Sequence, residues 1–182
     1  MSLGLALLLA IVDPVPGGCF PAEAAVDPFR MEWYCKHLAA AGLAQLVADP
    51  GVRFTYLPTF HAPRIATVEM TAEGAIVSGF VLDGQGGYAP GSVRERTRRL
   101  LTSSEWKLLQ QRLENAGMWQ GPIKQSSKGL DGSQWILEGR RSGSYQLHDL
   151  WSPKPKEYPQ YVKACVYLLE LAGIQPKGQE LY

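Results

Sequence analysis

Residues 133–151 read SQWILEGRRSGSYQLHDLW. Apolar and polar side chains alternate along two runs, Ser133 to Gly139 and Ser144 to Trp151. The polar stretch from Arg140 to Gly143 separates them, and this is the pattern of a β-hairpin. Trp135 and Leu137 share one face of the first strand, opposite Ile136 and Glu138. In the second strand Tyr145, Leu147, Asp149 and Trp151 share a face, opposite Gln146, His148 and Leu150.

Upstream, Val52 to Leu57, Arg64 to Met70 and Ala75 to Leu82 are rich in β-branched and aromatic residues. Pro58, Pro63 and Glu73-Gly74 interrupt them, and the connections are too short for parallel crossovers, so the strands are expected to be antiparallel. Three helices complete the pattern. The first follows Asp27-Pro28 and is expected from Phe29 to about Val47, loosened near Gly42. The second opens on a Thr102/Glu105 capping box and closes at Gly117. The third runs from Pro159 to Gly173. The fold class expected is α+β, a single antiparallel sheet of about five strands packed against about three helices. The Gly-rich segment Asp83 to Ser92 is expected to be a flexible loop; its glycines lack the lysine of a phosphate cradle.

The composition supports one globular domain. Hydrophobic residues form 46% of the 182, and 18 Lys+Arg face 17 Asp+Glu, which excludes a disordered chain. No apolar run approaches the roughly 20 residues of a spanning helix. A net charge of +1 gives no reason to expect nucleic acid or an anionic membrane as partner.

The amino end points to export. Leu3 to Val12 is uncharged and apolar, too short to span a bilayer and suited to the core of a signal peptide. Ala22-Glu23-Ala24 then offers a cleavage site, so residues 1–24 are expected to be removed and 25–182 to form the domain, periplasmic or secreted. No Lys or Arg precedes the apolar run. A variant is a lipid anchor on Cys19, although Pro16 stands where a branched apolar residue is usual. Removal of Cys19 would leave Cys35 and Cys165, which are expected to pair if their helices lie side by side; the alternative is two buried thiols.

Glu138 with His148 or Asp149 is the minimum apparatus for acid–base chemistry. His148 and Asp149 are neighbours on a strand, so only one of them can share the face of Glu138; the alternative is polar residues on a solvated hairpin. His37, His61 and His148 are scattered, so no metal site is expected, and no cofactor is implied. Arg94, Arg96, Arg98 and Arg99 form one basic run, either a solvated face leading into a helix or a contact for an acidic protein patch. Trp151 stands before a proline-rich turn and is a candidate anchor for a protein contact. The function expected is that of an exported, non-catalytic protein-binding module, such as an inhibitor, an immunity-type protein or an envelope assembly factor. Alternatives are a small hydrolase or transferase using Glu138, and a carrier of a small apolar ligand.

Overall fold

The computed structural model describes residues 19–24, 26–123, 129 and 131–176. Its centre is a six-stranded antiparallel sheet: β1 (Gly51–Pro58), β2 (Arg64–Thr71), β3 (Gly74–Leu82), β4 (Val93–Leu100), β5 (Ser133–Arg141) and β6 (Ser144–Trp151). The spatial order is β4-β3-β2-β1-β5-β6. The α+β class therefore holds, and five of the six strands fall where alternation predicts them.

Helix α1 (Pro28–Ala40) lies on one face of the sheet, and α2 (Ser103–Asn115) and α3 (Pro159–Leu171) lie on the other. Alternation explains the division. Phe54, Tyr56, Trp135 and Leu137 point towards α2 and α3, while Leu57, Ile65, Ile136 and Leu147 point towards α1. Trp135 is fully enclosed, and its indole Nε1 donates to Ser133 Oγ at 2.8 Å.

Helix α1 stops earlier than periodicity suggests. Gly42 takes φ +74°, and Leu43 N–H donates to Leu38 O at 2.8 Å, the closure of a left-handed helix end. The α2 capping box forms as expected: Glu105 N–H donates to Thr102 Oγ1 at 3.2 Å, and Thr102 N–H to the Glu105 carboxylate at 2.8 Å.

The basic run is a strand, not the lead into a helix. β4 pairs with β3 along its length, with a register shift between Val81 and Leu82 that leaves Arg94 as the extra residue. Segment 83–92 is likewise not a loose loop. Asp83, Gly84 and Gln85 donate backbone bonds to Ser92, Pro90 and Ala89 at 2.9–3.0 Å, which extends the β3–β4 hairpin beyond the sheet.

The expected disulfide is corrected. Cys35 pairs with Cys19, while Cys165 is a free, buried thiol. Cys35 belongs to α1 and Cys165 to α3, so the sheet stands between them and their sulfurs cannot meet. Cys19 and Phe20 are both buried at 2% exposure, and Phe20 makes an edge contact with Tyr34. A lipid anchor on Cys19 requires the sulfur that the bridge occupies, so the two are mutually exclusive. Among the described residues, no helix is long and apolar enough to cross a membrane.

Candidate functional site

The hairpin places its three polar candidates unambiguously. Ser142 and Gly143, at φ +54° and +80°, form a two-residue turn that matches the twist of the strands. Asp49 holds this turn, accepting from Ser142 N–H at 3.0 Å and Gly143 N–H at 2.7 Å. The register pairs Glu138 with Leu147 and Leu137 with His148. Glu138 and Asp149 thus share the α1 face, and His148 lies on the opposite one. The structure does not bring Glu138 and His148 together.

Each of the three is spent on a separate structural contact. Glu138 is fully buried and accepts from Arg53 Nε at 2.6 Å and Tyr145 Oη at 2.9 Å. Arg53 also donates to the carbonyls of Leu43 and Gln45, at 2.8 and 3.1 Å, and to that of Cys19 at 3.5 Å. One guanidinium therefore ties the sheet to the segment that follows α1 and to the bridged amino-terminal segment. His148 stacks on Tyr161, with planes 3° apart, and its Nε2 lies 3.3 Å from Met118 O. Its Nδ1 is buried without a partner, and burial pushes the imidazole below its ordinary pKa.

Asp149, only 5% exposed, accepts from Tyr34 Oη and Arg30 Nη1, each at 3.1 Å, and from Gln134 Nε2. Burial raises its pKa, opposed by the neighbouring Arg30 charge. Buried carboxylates need this degree of satisfaction, because an unpaired charge in the interior is strongly unfavourable.

The concave surface lies above this network. Phe29, Glu32, Trp33 and Lys36 recur at three- and four-residue steps and so form the outward face of α1. With Thr59, Gly87, Tyr88, Gly129 and Trp151 they line a cleft of about 440 Å³, a size typical of binding sites. Its rings are open: Phe29 is 77% exposed and Tyr88 55%, and at its rim Phe60, tilted 34° against Tyr88, is 45% exposed. The walls are firmly held. Trp33 Nε1 donates to Gly86 O at 2.9 Å, and His37 Nδ1 lies 2.8 Å from Trp33 O. A Cβ on Gly86 would stand 2.5 Å from Pro58 O, so only glycine lets this hairpin tip approach the end of β1 so closely.

Trp151 is the one sequence candidate found in the cleft. Gly129 and Gly132 leave room for its indole: a Cβ on Gly129 would come within 2.3 Å of Nε1, and one on Gly132 within 2.8 Å of Cζ2. Sequence reading missed Phe29, Trp33 and Tyr88 as a group. The outward spacing of Phe29 and Trp33 on α1 was a usable signal; the arrival of Tyr88 was not, because it depends on how the hairpin tip packs.

The arginine run divides between faces. Arg96 covers the Phe80 ring at 4.8 Å, and Arg98 pairs with Glu69 at 3.1 Å, both on the α1 side. Arg99 reaches Leu171 O at the end of α3 and forms a two-pronged contact with Glu105 at 2.8 and 3.0 Å, which holds the Glu105 carboxyl down to about 2. Arg94 lines a separate cavity of about 420 Å³ with Arg64, Glu95, Gly173, Ile174 and Gln175. Among the described residues no group of three or more His, Cys, Asp or Glu is placed to hold a metal ion. Comparison with protein-family models finds no match, and comparison with curated proteins finds none either.

Proposed function

We propose that this protein is an exported, non-catalytic module that binds another protein through the aromatic cleft above α1. The observation that carries the reading is the exposure of Phe29, Tyr88 and Phe60 around a cleft whose walls are held by half-buried hydrogen bonds. Exposed aromatic groups on a rigid frame are the usual anchors of protein interfaces, since large rings desolvate much area at little cost in conformational freedom. The buried charged groups Glu138, Arg53 and Asp149 are already engaged with one another or with neighbouring polar groups, so they serve the frame. The partner is read as carrying an acidic patch for the arginines of β4 as well.

Export is supported by the apolar stretch Leu3 to Val12 and by a Cys19–Cys35 bridge, since structural disulfides belong mostly to oxidising compartments. With Cys19 bridged and its carbonyl held by Arg53, the leader is best read as ending before Cys19 rather than after Ala24.

The test uses the disulfide-bonded domain as bait in an envelope extract. Phe29→Ala and Tyr88→Ala leave buried contacts intact, so circular dichroism should be unchanged. A partner captured by the parent protein should be lost or weakened about 30-fold or more in each variant, as expected for hot-spot truncation. Equal capture by all three baits would remove the cleft from the interface. The volume of the cleft also fits a small apolar ligand. Saturable binding of a fluorescent apolar dye, displaced by no protein fraction, would favour that carrier reading instead.

A further inference from the structure

We propose that the outer edge of β4 accepts an extended acidic segment of the partner protein as a seventh strand. This rests on the reading of the chain as a protein-binding module, but it concerns a surface separate from the cleft.

The phase of the β3–β4 ladder shows which groups are free. Leu101 N–H donates to Ala75 O at 2.8 Å, and hydrogen-bonded pairs in an antiparallel ladder recur every second residue. Glu95, Thr97 and Arg99 therefore turn their backbone groups to β3. Arg96, Arg98 and Leu100 turn N–H and C=O outward, where among the described residues no strand pairs with them; the Leu100 carbonyl accepts from Arg99 Nη1 at 3.3 Å, so the open stretch of edge is Arg96 to the Leu100 N–H.

Natural sheets protect such edges with proline, with bulges or with charged side chains that obstruct pairing. β4 has no proline, and its one irregularity lies at Arg94, at the start of the strand. Arg96 and Arg98 also lie back over the sheet instead of across the edge, and Arg99 crosses it only at the Leu100 carbonyl. Arg96 reaches Phe80 on β3, Arg98 reaches Glu69 on β2, and Arg99 reaches Glu105 on α2. On the far face the strand is tied to the carboxyl end of α3, where Thr97 Oγ1 donates to Ala172 O at 2.6 Å. The edge is thus both rigid and open.

Charge selects the occupant. β4 carries four arginines and one glutamate in eight residues. The side chains of Arg96 and Arg98 share one face, two residues apart, so residues at alternate positions of an added strand come within about 5 Å of them. Asp or Glu at those alternate positions complements both guanidinium groups. A second copy of β4 would instead set arginine against arginine.

The probe is a labelled eight-residue peptide alternating Glu with Thr, added to the full disulfide-bonded chain. Saturable anisotropy is expected, with slowed hydrogen exchange at the amides of Arg96, Arg98 and Leu100. Arg98→Glu should weaken binding at least tenfold, and so should the milder Arg96→Gln if the first variant fails to fold. N-methylating the peptide at its Glu positions or at its Thr positions should abolish binding in one case only, because one set of N–H groups faces β4. No binding, equal effects of the two methylation patterns, or dimerisation of the chain in place of peptide binding would each overturn the proposal. Loss of this binding leaves the Phe29 and Tyr88 result untouched, so the two readings fail separately.

Discussion

Replacing Glu138 tests whether the buried ion pair is a structural clamp. Both partners are enclosed, at 2% exposure for Arg53 and 0% for Glu138, so water cannot take over when one is removed. Glu138→Ala leaves a buried guanidinium without its counter-charge and Tyr145 Oη without this acceptor. Breaking such a pair costs about 3–5 kcal/mol. For a domain of this size each kcal/mol moves Tm by roughly 2–4 °C, so a fall of about 6–20 °C is expected. Arg53→Met should cost more than Glu138→Ala. It strands the same carboxylate and also deprives the carbonyls of Leu43 and Gln45 of a donor, at about 1–3 kcal/mol for each group left unsatisfied. The double variant Arg53→Met/Glu138→Ala removes both charges and should cost less than the sum of the single changes. Urea titration with matched m values gives all three numbers. A Glu138→Ala loss below about 1 kcal/mol, or strict additivity in the double variant, would refute the clamp.

Four further outcomes follow from individual contacts. Cys35→Ser opens a bridge of sequence separation 16, worth about 3 kcal/mol by chain entropy, and thiol titration should show Cys165 reacting only after unfolding. Acidification from pH 7 to 5 should lower stability. Burial depresses the folded-state pKa of His148, so the unfolded chain binds its proton first, and stability is lost as pH falls below the ordinary value of about 6.5. His148→Phe keeps a ring on Tyr161 and should flatten that part of the pH profile in denaturant titrations; an unchanged slope would count against the assignment. Gly132→Ala forces a Cβ to within 2.4 Å of Ser152 Oγ and 2.8 Å of the Trp151 ring, so a loss of about 1–3 kcal/mol and altered tryptophan emission are expected.

Alternation made five strands legible because each buries at least one face, and the Thr102/Glu105 and Gly117 signals marked the two ends of α2 by local chemistry alone, whereas Gly42, read only as a loosening, closes α1. β4 was not legible for a physical reason. An edge strand exposed on both faces, with only Thr97 half-buried, needs no apolar alternation, so Val93 to Leu100 reads as a charge run. The cysteine pairing failed because it was reasoned from helix faces without knowing which side of the sheet each helix occupies. Cys35 and Cys165 are both apolar-face residues, yet of different layers. The face of Asp149 turned on the parity of the hairpin turn. The four polar residues Arg140 to Gly143 left that parity open, and only the pairing of Arg141 with Ser144 fixes it.

The sheet also separates the Trp151 wall of the cleft from the arginine strand. Trp151 of the cleft lies on β6 at one edge, and the arginine strand β4 is the other edge, five strand spacings away. At about 4.8 Å per spacing this is roughly 24 Å, beyond the 7–10 Å within which substitutions usually couple. A partner that engages both surfaces therefore wraps the molecule, with its aromatic-binding pocket and its acidic strand on different elements. Trp151→Ala and Arg98→Glu should then multiply in their effects on affinity for that partner. Only the arginine variant should steepen in effect at low salt, where charge screening is weakest. Calorimetric titration of the two single variants and the double variant at low and high salt separates the cases. A double variant no weaker than the worse single one would mean that a partner molecule uses one surface at a time.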